Sequence, residues 1–117
     1  MTIPLHFESA VTLATKIRQR EVTSEQLTEM FIQRIENFDG IVNAVVVRCF
    51  EAARKRSKDL DDLLEKGFIQ GPFYGVPITV KENNDVEGLP TTIGNPIKTG
   101  NPFASMNSPA VQRLVDA

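Results

Sequence analysis

The chain has 117 residues, 41% of them hydrophobic, and a formal net charge of −2. A chain of this length can bury about two-thirds of the surface that its unfolded form exposes, and its small charge argues against nucleic acid or an anionic membrane as a partner. The single cysteine, Cys49, excludes a disulfide framework and favours a reducing compartment. The amino terminus lacks the basic and long apolar regions of a secretory signal, so we expect a cytoplasmic protein.

Two amphipathic helices are predicted at the start of the chain, over residues 9–20 and 24–38. Apolar residues repeat at helical spacing along both segments. Thr23 and Gln26 have the spacing of a capping box, which fixes the start of the second helix. Gly40 is predicted to end that helix, because glycine accepts the left-handed conformation that such a stop requires.

A strand and a third helix are predicted next. The composition of residues 41–47, Ile-Val-Asn-Ala-Val-Val-Val, indicates a strand covered on both faces. A helix is expected over residues 49–66, with Cys49 at its start as a buried packing residue rather than a nucleophile. Acidic residues at 59–62 follow the basic run at 54–58, so we interpret this run as a solvated helix face rather than a nucleic-acid patch.

The most informative stretch runs from Gly71 to Gly94. Within it, residues 76–80 are rich in β-branched side chains and predict a short buried strand. Lys81 stands at the carboxyl end of this strand, where open α/β sheets place their chemistry. A lysine that acts as a base must be neutral, which requires a pKa lowered from about 10.4 to roughly 7–8, and desolvation by an apolar strand end can produce this shift. The alternative is a surface lysine paired with a neighbouring acid, Glu82 or Glu87.

A fourth helix is predicted over residues 109–117, because Ser108 is a suitable cap and Pro109 suits the first helical position. The apolar face of this helix has no evident partner, so we expect the chain to be the front piece of a longer protein. The longest apolar run, residues 44–47, is too short to span a bilayer. The only histidine, His6, is expected to be solvated, and no ligand spacing is visible, so no metal or cofactor is predicted.

The motif resembles that of the amidase signature family, whose members carry Gly-Pro-x-x-Gly-x-Pro-x-x-x-Lys-Asp/Glu-Asn followed by Thr-Thr-x-Gly. The order of the predicted elements is also similar, so the resemblance covers nearly the whole chain. Three positions depart from the commonest form: Glu82 stands where Asp is more frequent, Asn84 where an apolar residue is common, and Asn95 where Ser is usual. The matching residues are Gly71, Pro72, Gly75, Pro77, Lys81, Glu82, Asn83, Thr91, Thr92 and Gly94.

The resemblance implies an α/β fold: residues 1–117 would form the N-terminal segment of an α/β/α amidase signature domain, with helices followed by strands of a mixed sheet. It implies hydrolysis of a small-molecule amide by a Ser–cisSer–Lys triad with Lys81 as the catalytic base, without a cofactor, in a homodimer. Both serines of the family come from a downstream Gly/Ser-rich segment. None of the five serines here lies in such a run, so the chain alone is predicted to be inactive.

Two alternatives remain open from the sequence. One is a non-catalytic scaffold or interaction module derived from an amidase. The other is part of the amidase component of a glutaminyl-tRNA-forming amidotransferase, which would imply protein partners.

Overall fold

A computed structural model of the chain describes residues 3–117. Helices are the only regular secondary structure in this part of the chain. The four α-helices are α1 (Ala10–Arg18), α2 (Ser24–Val42), α3 (Phe50–Glu65) and α4 (Pro109–Asp116), and two short 3₁₀ helices cover Leu5–Phe7 and Pro96–Lys98. None of the helices within residues 3–117 combines the length and the apolar character that a membrane span needs.

The backbone divides into two compact units. The first contains the chain up to Ala44, the segment Cys49–Ile78 and Ala117, and the second contains Val45–Arg48 and Thr79–Asp116.

The start of α2 is fixed by side chains from two sources. The Thr23 hydroxyl accepts a hydrogen bond from Gln26 N at 3.0 Å, and the Gln26 side chain accepts one from Thr23 N at 3.0 Å, which confirms the predicted capping box. The carboxylate of Asp61, on α3, accepts from Ser24 N at 2.8 Å and from Glu25 N at 2.9 Å. Because the first N–H groups of a helix have no partner within it, Asp61 both caps α2 and ties α3 to it.

The end of α2 differs from the prediction. The helix continues through Gly40 to Val42 and ends at Asn43, whose φ of 49° is left-handed. Asp39 is buried, its carbonyl accepts from Asn43 N at 2.6 Å, and its Oδ1 accepts from Ala44 N at 2.7 Å. The predicted stop at Gly40 is therefore wrong: the helix ends three residues later, where the Asp39 side chain accepts from Ala44 N and where asparagine tolerates the left-handed conformation.

The two predicted strands are not formed within residues 3–117. Residues 41 and 42 of the first belong to α2, and residues 43–47 and 76–80 have no regular structure. β-Branched residues form a strand only where a neighbouring segment offers a ladder of backbone hydrogen bonds, and the described residues contain no strand. The sheet expected from the resemblance is thus not confirmed.

The apolar core of the first unit is formed by α1, α2, α3 and the segment that follows α3. Ile17 and Leu27 are completely buried, and each contributes about 1.5–3 kcal/mol relative to an exposed side chain. The core residues are Leu13, Ile17, Val22, Leu27, Leu64 and Tyr74.

In the second unit, Val111 of α4 is the only large apolar side chain that is buried among the described residues. The loops of this second unit are held mainly by backbone hydrogen bonds. Gly88 N donates to Ala104 O at 2.9 Å, and Ala104 N donates to Leu89 O at 3.0 Å. This unit therefore depends on polar contacts more than the first unit does.

Candidate active site

The Gly-Pro part of the motif is attached to the helices of the first unit. The Arg18 guanidinium donates to Gly71 O at 2.8 Å and to Pro72 O at 2.7 Å. Tyr74 is 6% exposed, and its hydroxyl donates to Leu60 O at 2.8 Å. These contacts link the start of the motif to α1 and α3, which explains why the helices and the motif occur together in the sequence.

Gly75 is a motif position with little room for a side chain. Its φ is 78°, and a Cβ built there would lie 3.2 Å from both Ile17 Cδ1 and Ser24 Cβ. Ser24 is also buried, and its hydroxyl donates to Gly75 O at 2.5 Å. Glycine is needed here both for the left-handed backbone and for the close approach to α1 and α2.

Lys81 lies in the second unit with its side chain exposed. Its carbonyl accepts from Asn84 N at 3.0 Å and from Asn84 Nδ2 at 3.3 Å, so a turn follows the lysine at once. The hydrogen bonds and ion pairs of residues 3–117 include none to the Lys81 amine. The pairing with Glu82 or Glu87 that the sequence left open is thus not formed here, and neither is a desolvated strand end.

Glu82, next to the lysine, is bound to the other half of the motif. Its Oε1 accepts from Thr92 N at 2.5 Å and its Oε2 accepts from Ile93 N at 2.7 Å. Ile93 and Gly94 have left-handed φ values of 57° and 67°, and successive N–H groups in such a turn form a concave site for an anion. These backbone N–H groups, that of Thr92 most of all, hold the pKa of Glu82 below its usual range against the opposing effect of burial.

A second contact joins the same two segments. The Thr91 hydroxyl donates to Asp85 Oδ1 at 2.7 Å, and the Asp85 carbonyl accepts from Ser108 N at 2.9 Å. The sequence matched Thr91, Thr92 and Glu82 to a motif but assigned no role to them. Their spacing alone could not have shown that the acid is bound by the backbone of the threonine pair.

Cys49 and His6, which were also considered from the sequence, belong to the first unit. Cys49 is exposed at the start of α3, so the expectation that it is buried is wrong: its position before the first helical turn places it outside the packed face. His6 is half-buried, and its ring centroid lies 4.4 Å from that of Phe7. The histidine was expected to be solvated, and it is only partly exposed to solvent. Residues 3–117 contain no group of three His, Cys, Asp or Glu side chains that could hold a metal ion.

The serines of the chain mainly serve the backbone. The Ser9 hydroxyl accepts from Thr12 N at 3.1 Å, Ser57 donates to Arg54 O at 2.9 Å, and Ser108 accepts from Val111 N at 3.4 Å. No serine hydroxyl within the described residues forms a hydrogen bond with the amine of Lys81. The structure therefore shows no serine hydroxyl bonded to the predicted base.

Comparison with known proteins gives several matches. Fatty-acid amide hydrolase 2-A from Danio rerio is 38% identical over 80% of this chain and 19% of its own length. The acylamidase of Rhodococcus erythropolis is 33% identical over 94% of the chain and 23% of its own length. A glutamyl-tRNA(Gln) amidotransferase subunit from Clostridium kluyveri is 31% identical over 86% of the chain and 19% of its own length. The chain thus spans about a fifth of the length of these relatives.

A solved structure gives the same result for the fold. It comes from work on a vestigial protein complex and the evolutionary origins of an s-triazine catabolic enzyme. The two superimpose with a TM-score of 0.86 at 29% sequence identity, over 92% of this chain and 23% of that protein. The model of the amidase family matches residues 26–117, which include the whole motif around Lys81, and the chain therefore belongs to the amidase signature family.

Proposed function

We propose that residues 3–117 form the N-terminal part of an amide hydrolase of the Ser–cisSer–Lys type, with Lys81 as its catalytic base. The observation that carries the proposal is the difference between Lys81 and its motif neighbours. Gly75 packs against α1 and α2, and Glu82 binds the backbone of Thr92. The Lys81 amine, in contrast, forms no hydrogen bond or ion pair with a described residue. Because its neighbours in the motif have structural contacts and the lysine has none, we assign the lysine a chemical role.

The chemistry requires groups from outside the described residues. A serine hydroxyl is a weak nucleophile until a base removes its proton. In the proposed reaction, the neutral amine of Lys81 takes up this proton through the second serine while the nucleophilic oxygen bonds to the amide carbonyl carbon. The resulting ammonium returns the proton to the leaving amine, and water then hydrolyses the acyl-enzyme.

We place both serines beyond residues 3–117. Ser9, Ser24, Ser57 and Ser108 have hydrogen-bonded structural roles, and none of the five serines lies in a Gly/Ser-rich run. We also infer that residues 76–80 become a strand only when further strands of the sheet provide backbone partners. Such a sheet would remove water from the Lys81 amine, which favours the neutral form that a base requires.

The names of two relatives support a small-molecule amide as the substrate. A second candidate function is the amidase step of an amidotransferase, because glutamyl-tRNA(Gln) amidotransferase subunits from several bacteria are 31–37% identical to the chain. Assays of the complete protein with aliphatic and aromatic amides, and separately with glutamine in the presence of the other amidotransferase components, distinguish the two. A homodimer, the absence of a cofactor and a cytoplasmic location stay predictions.

The decisive experiment changes Lys81 in the protein encoded by the complete reading frame that contains this segment. Lys81→Ala is expected to lower the acylation rate by several orders of magnitude with a smaller change in substrate binding. Lys81→Arg is expected to be nearly as damaging, because a guanidinium does not release its proton at working pH. Acylation is measured as the pre-steady-state burst of product with substrate in excess over enzyme.

Lys98 provides the matched control, because it lies in the same unit and belongs to no part of the motif. Lys98→Ala and Lys98→Arg should leave acylation close to that of the unmodified protein. Near-normal acylation by the Lys81→Arg protein would show that Lys81 supplies only a positive charge and would refute the proposal.

A further inference from the structure

We propose that Glu82 is a positioning residue for Lys81: its carboxylate fixes the backbone that follows the lysine by binding the N–H groups of Thr92 and Ile93. The inference rests on the proposed role of Lys81 as the base. It adds a second functional residue, one that acts through the backbone and does not touch the substrate.

The geometry fixes the chain at two points next to the lysine. The Lys81 carbonyl accepts from Asn84 N at 3.0 Å. The two Glu82 oxygens accept from Thr92 N at 2.5 Å and from Ile93 N at 2.7 Å. Two charge-assisted hydrogen bonds to adjacent N–H groups define both the position and the orientation of a carboxylate. The backbone from which the Lys81 side chain extends is therefore held by a loop distant in sequence.

The same contacts bind the Glu82 carboxylate to backbone N–H groups rather than to the lysine. A carboxylate within about 4–6 Å of an amine favours the charged ammonium, which would oppose the action of a lysine as a base. Here the carboxylate is directed to the Thr92–Ile93 backbone, and the ion pairs of the described residues include none between Glu82 and Lys81. An acid thus stands beside the proposed base in sequence without forming an ion pair with it.

Glu87 provides a comparison within the same unit. It is exposed, and its carboxylate has no hydrogen bond or ion pair to any other described residue, although its backbone N–H donates to Asn107 Oδ1 at 2.8 Å. Glu82 and Glu87 are thus two acids that follow the same lysine within six residues of sequence, but only the Glu82 carboxylate binds the Thr92–Ile93 backbone. Substitutions at the two positions separate positioning from simple charge.

The experiment uses the complete protein with Glu82→Ala, Glu82→Gln and Glu82→Asp, and Glu87→Gln as the matched control. The concentration of competent sites is determined by the acylation burst, so that rate constants refer to folded enzyme. Glu82→Ala is expected to lower the acylation rate constant about 100-fold with little change in KM, as expected when a reacting group moves by about 1 Å. Glu82→Gln should give a smaller loss, because its amide oxygen still accepts from one N–H group while its amide nitrogen cannot accept from the other.

Glu82→Asp should retain most of the rate, since it keeps two acceptor oxygens, and Glu87→Gln should retain all of it. Because Glu82 is expected to act by placement, the midpoint of the pH–rate profile should be the same in the Asp and Gln proteins. If the Glu82→Ala protein does not fold, the acylation rates of the Glu82→Gln and Glu82→Asp proteins test whether two acceptor oxygens are needed to position Lys81.

The results that overturn this inference differ from those that overturn the role of Lys81. Glu82→Gln and Glu82→Asp proteins with normal rate constants per competent site, but with reduced thermal midpoints, would show that Glu82 only stabilises the fold. An equal loss in Glu82→Gln and Glu87→Gln would show a general effect of charge. In both cases a large loss in Lys81→Ala would leave the base assignment intact, whereas normal acylation by Lys81→Ala would refute the proposed function itself.

Discussion

The substitution Gly75→Ala tests how the motif is attached to the helices. A left-handed φ, here 78°, costs an alanine about 1–2 kcal/mol relative to a right-handed conformation. The new Cβ would also lie 3.2 Å from Ile17 Cδ1 and from Ser24 Cβ, both buried, and crowding of this kind typically costs about 1–3 kcal/mol. We therefore expect the free energy of unfolding to fall by about 2–5 kcal/mol.

Gly67→Ala is the matched control, because Gly67 has a similar φ of 83° in the same unit but no atom within 4 Å of a built Cβ. It should lose only the conformational part, about 1–2 kcal/mol. Tyr74 is the only tyrosine and the chain has no tryptophan, so tyrosine fluorescence during urea unfolding reports on the residue next to Gly75. Equal losses in the two variants would refute the argument from crowding.

Two further predictions concern the second unit and the chain as a whole. The pKa of Glu82 is lowered from 4.5, so its contribution to stability is complete above about pH 4.5 and is lost as the pH falls through the lower folded-state pKa. The NMR amide shifts of Thr92 and Ile93 should therefore change only below pH 4.5, while the amide shift of Gly88 serves as a control and should stay constant. A titration midpoint above pH 4.5 would contradict the assignment. The 117-residue chain alone should hydrolyse a panel of amides only at background rates, because a base without a serine nucleophile gives little assistance, and turnover that persists on repurification and is lost in Lys81→Ala would contradict this.

Much of the helical structure could be predicted from the sequence, because local signals determine it. The capping box of Thr23 and Gln26 needs only residues within one turn of helix, and it is formed as predicted. The end of α2 could not be predicted in this way. It depends on the buried Asp39, which accepts from Ala44 N, and an Asp-Gly pair by itself is equally typical of a helix stop.

The two predicted strands could not be judged from local sequence alone. Residues 41–47 and 76–80 have the composition of buried strands, but a strand is defined by its partner, and composition does not supply one. The overall family could nevertheless be identified, because the motif residues are individually constrained. Gly75 is constrained by packing, and Glu82 by the backbone N–H groups that it binds.

The structure gives a physical reason for the spacing between the two halves of the motif. Lys81 and Glu82 belong to the first half, and Thr92 to the second, yet the contact between Glu82 and Thr92 N makes them one local arrangement. The loop between them must return the Thr92–Ile93 N–H groups to the carboxylate. Within the motif, the lysine would supply the chemistry, and the acid beside it would determine where that chemistry takes place.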